Sequence, residues 1–127
     1  MGINDKTPTA AELEILTLLW EKSPQTVKDI HETLSKRKDV GYTTTLKIMQ
    51  VMTSKGIVQR EPDGKSHLYY PVLEKRQTQG KLLDTLLDAA FGGSAASLVM
   101  QALGNHKASK EELDKIKELI QQIEKNK

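Results

Sequence analysis

The sequence predicts a mainly α protein: a winged helix-turn-helix followed by a C-terminal helical dimerisation domain. Three observations carry this. Apolar residues recur at three- and four-residue spacing in three successive segments up to Lys55. Between Ile57 and Val72 the pattern changes to two short β-prone runs around a turn. From Leu73 onward helical spacing returns, with apolar stripes that one chain has little left to cover. The expected division is therefore a winged-helix domain over residues 1–73 and a dimerisation domain over 74–127.

The first helix is announced by Thr9 with Glu12 three positions on, a capping box in which each side chain satisfies a free backbone N–H of the first turn. Leu13, Leu16, Leu19 and Trp20 then mark one buried face, ending near Glu21. The second helix repeats the logic. Pro24 interrupts the chain, Thr26 and Asp29 cap, and Val27, Ile30 and Leu34 face inward. A turn, KRKDVG, leads into YTTTLKIMQVMTSKG, the third helix, closed by Gly56 as a left-handed C-cap. A run of threonines is a poor helix interior but a good helix start, so their hydroxyls are expected to cap the first turn. At 100° per residue, Tyr42, Thr45, Leu46, Met49 and Met52 fall on one side, which makes Tyr42 a core or hinge residue. Thr43, Thr44, Lys47, Gln50 and Ser54 fall on the other, a polar, cationic face without a carboxylate. The Asp63-Gly64 pair then signals a hairpin, and Pro71 marks an edge or the end of its second strand.

The C-terminal part reads as three helices. The first carries Leu82, Leu83, Leu86, Leu87 and Phe91 up to a Gly92-Gly93 stop. A short second one carries Leu98, Val99 and Leu103. The third is capped by Ser109 and Glu112 and carries Leu113, Ile116, Leu119, Ile120 and Ile123. Their stripes form an incomplete core, which the same helices of a second chain would complete in a symmetric homodimer.

Composition narrows the function. The chain has 127 residues, a formal charge of only +2 and no cysteine, so disulfides and cysteine-based metal sites are excluded. Seven basic side chains between Lys36 and Lys65 face three acidic ones, which leaves that window at +4 and the remainder at −2. Such a local basic region fits a surface that meets phosphate. No apolar run approaches the roughly 18 residues of a membrane span, and the start carries no targeting signal. MGINDK lacks the hydroxyl residue that a myristoylation site requires. A cytoplasmic protein without a membrane partner is the expectation.

In a helix-turn-helix the second helix of the pair enters the major groove with its N-terminal residues foremost. Threonine approaches base edges closely, and its methyl can pack on thymine. Double-stranded DNA is thus the expected partner, met by Thr43, Thr44, Lys47, Gln50 and Ser54 on the helix and by Arg60, Lys65, Ser66 and His67 at the wing. Catalysis is not expected. His31, His67 and His106 have no nucleophile partner at a motif spacing, and no glycine loop cradles a phosphate. No metal site and no cofactor are expected either. Two other readings fit the same residues. One is a protein-interaction module using the threonine face. The other is a ligand-gated regulator with a pocket between Leu86, Phe91 and Val99 of paired subunits.

Three stretches, TAAELEILTLLW (9–20), YTTTLKIMQVMTSKGIVQRE (42–61) and GKSHLYYPV (64–72), resemble the BlaI/MecI/CopY family of bacterial transcriptional repressors, which includes the penicillinase repressors. The likeness runs over nearly the whole chain. It implies a winged-helix domain, a helical dimerisation domain and repression through a palindromic operator. Family members similar to the penicillinase repressors leave DNA after proteolysis of an asparagine-phenylalanine bond, where this chain has Gln101-Ala102. The copper-responsive branch uses a C-terminal cysteine cluster, absent here. The sequence names neither an effector nor a protease.

Overall fold

A computed structural model describes residues 7–105 and 108–127; His106 and the start of the chain read above for targeting signals lie outside the described residues. The chain divides into two compact units, Met1–Gly80 and Lys81–Lys127.

The first unit begins with α1 (Ala10–Glu21), whose capping box is in place: Glu12 N donates to Thr9 Oγ1 at 3.2 Å and Thr9 N to Glu12 Oε1 at 2.9 Å. Burial on α1 is broader than the single stripe expected. Ile15 and Leu18 are buried alongside Leu16 and Leu19, while Leu13 and Trp20 are half-buried. The reason is that α1 is covered from two directions, by a helix and by a strand. α2 (Val27–Ser35) is capped by Thr26 and Asp29 and buries Val27, Ile30 and Leu34 as its spacing predicts.

α3 (Tyr42–Lys55) departs from expectation at its start. Gly41 occupies the cap position, and no side chain caps the first turn. The threonines lie inside the helix instead: Thr45 is fully buried, and its hydroxyl donates back to the Gly41 carbonyl at 3.4 Å. At the other end Gly56 has φ +78°, and bonds from Gly56 N to Thr53 O and from Ile57 N to Met52 O, both 3.1 Å, satisfy the last carbonyls. Met49, Met52 and Ile57 then join Ile15, Leu16 and Ile30 in one core.

β1 (Val58–Asp63) and β2 (Ser66–Pro71) pair antiparallel with Asp63 opposite Ser66. Gly64 and Lys65 form the two-residue turn, with positive φ at Gly64 alone (+63°), as a type II′ turn requires. The base of this wing is pinned from a direction that the sequence did not announce. Gln25 and Tyr69 exchange backbone bonds of 3.2 and 2.8 Å, so the segment before α2 adds a third strand-like edge. The Gln25 side-chain amide also donates to Leu18 O (3.0 Å) and Lys22 O (2.7 Å), closing the end of α1. Trp20 Nε1 donates to Leu73 O at 2.9 Å.

α4 (Lys75–Ala90) starts within this unit: Glu74 accepts from Arg76 N and Gln77 N, and Thr78 is buried. The first compact unit ends at Gly80, within α4.

In the second unit α4 continues to the Gly92-Gly93 turn, both glycines at positive φ, and is followed by α5 (Ala95–Asn105) and α6 (Lys110–Lys125). Ser109 and Glu112 form the expected capping box of α6. No described residue from Lys81 onward is buried. Leu83, Leu86, Val99, Leu103, Leu113, Ile120 and Ile123 are exposed in the single chain, as are Leu119 at 55% and Met100 at 73%; Leu82, Leu87, Phe91, Leu98 and Ile116 are half-covered.

Candidate nucleic-acid interface

The outward face of α3 is a consequence of what its inward face buries. With Thr45, Met49 and Met52 fixed in the core, a helical repeat of about 3.6 residues per turn places Thr43, Lys47, Gln50 and Ser54 in one narrow stripe on the opposite side, and all four are exposed. Thr44 flanks this stripe and is exposed too. So is Val51, at 43%, an apolar residue that sequence reasoning left out of the face. Its phase, close to that of Thr44 and away from Thr45, Met49 and Met52, was readable in the sequence. Among the described residues, none of the polar side chains in the stripe has an intramolecular hydrogen-bond or ion-pair partner.

Charge is redistributed relative to the sequence count. Lys55 turns away from the stripe, its ammonium 2.7 Å from Glu12 Oε1 and 3.2 Å from the Thr7 carbonyl. Lys38 pairs with Glu14 at 2.7 Å. Two of the seven cations in the basic window are thus neutralised by α1, whereas Lys36, Arg37, Lys47, Arg60 and Lys65 have no ion pair among the described residues.

The wing sorts its charges by face. Arg60 lies opposite Tyr69, and Pro62 opposite His67. Strand alternation puts these on one side and Glu61, Asp63 and Tyr70 on the other. The Tyr70 hydroxyl donates to Glu61 Oε2 at 3.4 Å. Partial desolvation, with the Glu61 and Asp63 carboxylates behind it, raises the Tyr70 phenol above its ordinary pKa. Lys65 and Ser66 sit exposed at the tip, where the Ser66 hydroxyl donates to Asp63 O at 3.1 Å and so helps hold the turn.

Tyr42 is not a core residue. It is 47% exposed, because it opens α3 one turn before the core begins at Thr45. Its ring stands edge-on to His31 of α2, centroids 5.6 Å apart at 82°. His31 Nδ1 in turn lies 3.3 Å from Thr45 Oγ1. This imidazole and hydroxyl do not make a nucleophile pair, since Thr45 is fully buried. Among the described residues no three His, Asp or Glu side chains cluster as metal ligands, and no single helix is long and apolar enough to cross a membrane.

Comparison with known proteins agrees with this architecture. The chain is 29% identical over 115 residues to the transcriptional regulator BlaI of Mycobacterium tuberculosis, covering 89% of this chain and 82% of that protein. It is 22% identical over 112 residues to the methicillin resistance regulatory protein MecI of Staphylococcus aureus, covering 88% and 91%. In three dimensions it resembles the solution structure of the DNA-binding domain of the repressor BlaI, with a TM-score of 0.51 and 21% identity over 55% of this chain and 85% of that one. That likeness establishes the winged-helix fold of the first unit. A sequence model described as penicillinase repressor matches residues 8–122, and the chain belongs to the penicillinase repressor family.

Proposed function

We propose that the protein is a transcriptional repressor, not an enzyme, which binds a palindromic double-stranded operator as a homodimer. The observation that carries the reading is the α3 stripe of unpartnered hydroxyl, amide and ammonium groups, free of carboxylates, on a winged-helix frame. Thr43, Thr44, Lys47, Gln50 and Ser54 enter the major groove, while Arg60, Lys65 and Ser66 of the wing meet the sugar-phosphate backbone. Repression follows where the operator overlaps a promoter, in the compartment that holds the DNA.

The second unit supports the homodimer. Helices without a buried side chain gain little from packing, and isolated helices of this length are marginal in water. A second copy covers the stripes of α4, α5 and α6 and gives the two-fold symmetry that a palindrome mirrors. Leu86, Phe91 and Val99 are assigned to this cover, Leu86 and Val99 being open in the single chain.

Selection from random duplexes at two salt concentrations tests the reading. An enriched two-fold motif, bound with steep salt dependence, is expected. Absence of both enrichment and salt dependence would favour a protein-docking role for the same face.

A further inference from the structure

The geometry points to Tyr42 as an additional DNA-contact residue, donating its phenol hydroxyl to a backbone phosphate, with His31 as the residue that positions it. This rests on the reading of α3 as the DNA-facing helix. Three observations support it. The Tyr42 ring is 47% exposed, yet it makes a T-shaped contact with His31. Its hydroxyl has no intramolecular partner among the described residues. Its helical phase lies well to the side of the Thr43, Lys47, Gln50 and Ser54 stripe. A stripe aimed at the groove floor leaves its flank facing the groove wall, where phosphates run, and tyrosine is among the side chains that meet phosphate there.

The support beneath Tyr42 reaches the core. Thr45 Oγ1 lies 3.4 Å from the Gly41 carbonyl and 3.3 Å from His31 Nδ1, so the imidazole is tied to the buried part of α3. Thr45 itself is fully buried. The chain from core to surface is thus Thr45, His31, Tyr42, and a two-torsion side chain is presented to DNA with little freedom left to lose.

The contact is neutral, and this separates it from a lysine contact. It releases no counterion, so removing it lowers affinity without changing the salt slope. Binding of the full-length wild type, Tyr42→Phe, His31→Ala, His31→Phe and the His31→Ala/Tyr42→Phe double variant is to be measured on the selected duplex and on a scrambled one, across a salt series. Tyr42→Phe is expected to weaken both duplexes by the same factor, about 3- to 10-fold for one hydrogen bond, with an unchanged slope. His31→Ala is expected to add nothing once Tyr42→Phe is in place, and His31→Phe, which keeps a ring edge, to bind more tightly than His31→Ala. Wild-type affinity in Tyr42→Phe, or additive losses in the double variant, overturns the assignment while leaving the DNA reading intact. Failure of the wild type to bind any duplex overturns both. Should His31→Ala fold poorly, Tyr42→Phe and His31→Phe still decide.

Discussion

The Lys55 ammonium sits 2.7 Å from a Glu12 carboxylate oxygen that also accepts from the Thr9 backbone amide. One oxygen thus starts α1 and removes a cation from the end of α3. Glu12 is only 4% exposed, so its loss takes an acceptor from both donors and leaves Lys55 with the Thr7 carbonyl alone. Glu12→Ala, which removes the acceptor altogether, is expected to destabilise the fold by about 1–3 kcal/mol, the cost of leaving partly buried donors poorly satisfied. Urea unfolding checks this; a change below about 0.5 kcal/mol, the scatter of surface substitutions, contradicts it.

Lys47 and Lys55 lie on one helix but face different partners. Lys47→Ala is expected to weaken duplex binding by about tenfold and to lower the salt slope by about one, with thermal stability unchanged. Lys55→Ala is expected to leave the slope as it was and to lower stability. Binding isotherms at several salt concentrations, paired with thermal melts, separate the two. Equal slopes for both variants would remove Lys47 from the interface.

Val51 offers an exposed aliphatic surface on the flank of the stripe, at nearly the helical phase of Thr44. In a major groove the matching feature is the thymine methyl. Replacing thymine by uracil at successive positions of the selected duplex is expected to find one where the wild type loses affinity and Val51→Ala does not. If every position costs both proteins equally, Val51 does not read a methyl.

Ile120 lies at the centre of the uncovered α6 stripe. Ile120→Asp is expected to convert dimer to monomer in sedimentation at micromolar concentration, and to weaken binding to a two-fold duplex far more than to a half-site. A monomeric wild type would discard the proposed assembly.

Much of the fold was legible because it is written locally. Thr9 with Glu12, Thr26 with Asp29 and Ser109 with Glu112 sit three residues apart, and each pair forms the capping box that its spacing announces. Gly56 and Gly64 likewise adopt the positive φ that their turns need. The same local logic misplaced the threonine caps, since Gly41 took the cap position and drew Thr43 to Thr45 into the helix. It misplaced Tyr42 as well, because a phase angle tells which side a residue faces and not whether the core extends that far along the axis. What stayed hidden is non-local. Lys55 meets Glu12 across 43 residues, and no pattern within either helix records it. Gln25 with Tyr69 and His31 with Tyr42 are hidden for the same reason. The polar stripe of α3 could be read in advance because its residues share one helix. Its neighbours on α2 needed the fold.

The uncovered helices from Lys81 onward have a consequence of another order. The winged unit has its own core and folds by a first-order process, indifferent to how many copies surround it. A segment whose apolar side chains find cover only in a second molecule folds by a second-order process, and its stability rises with concentration. On the proposed dimer, dilution does not merely empty the operator; it leaves single readers, each able to hold half a site, so that protein concentration itself becomes a control on repression.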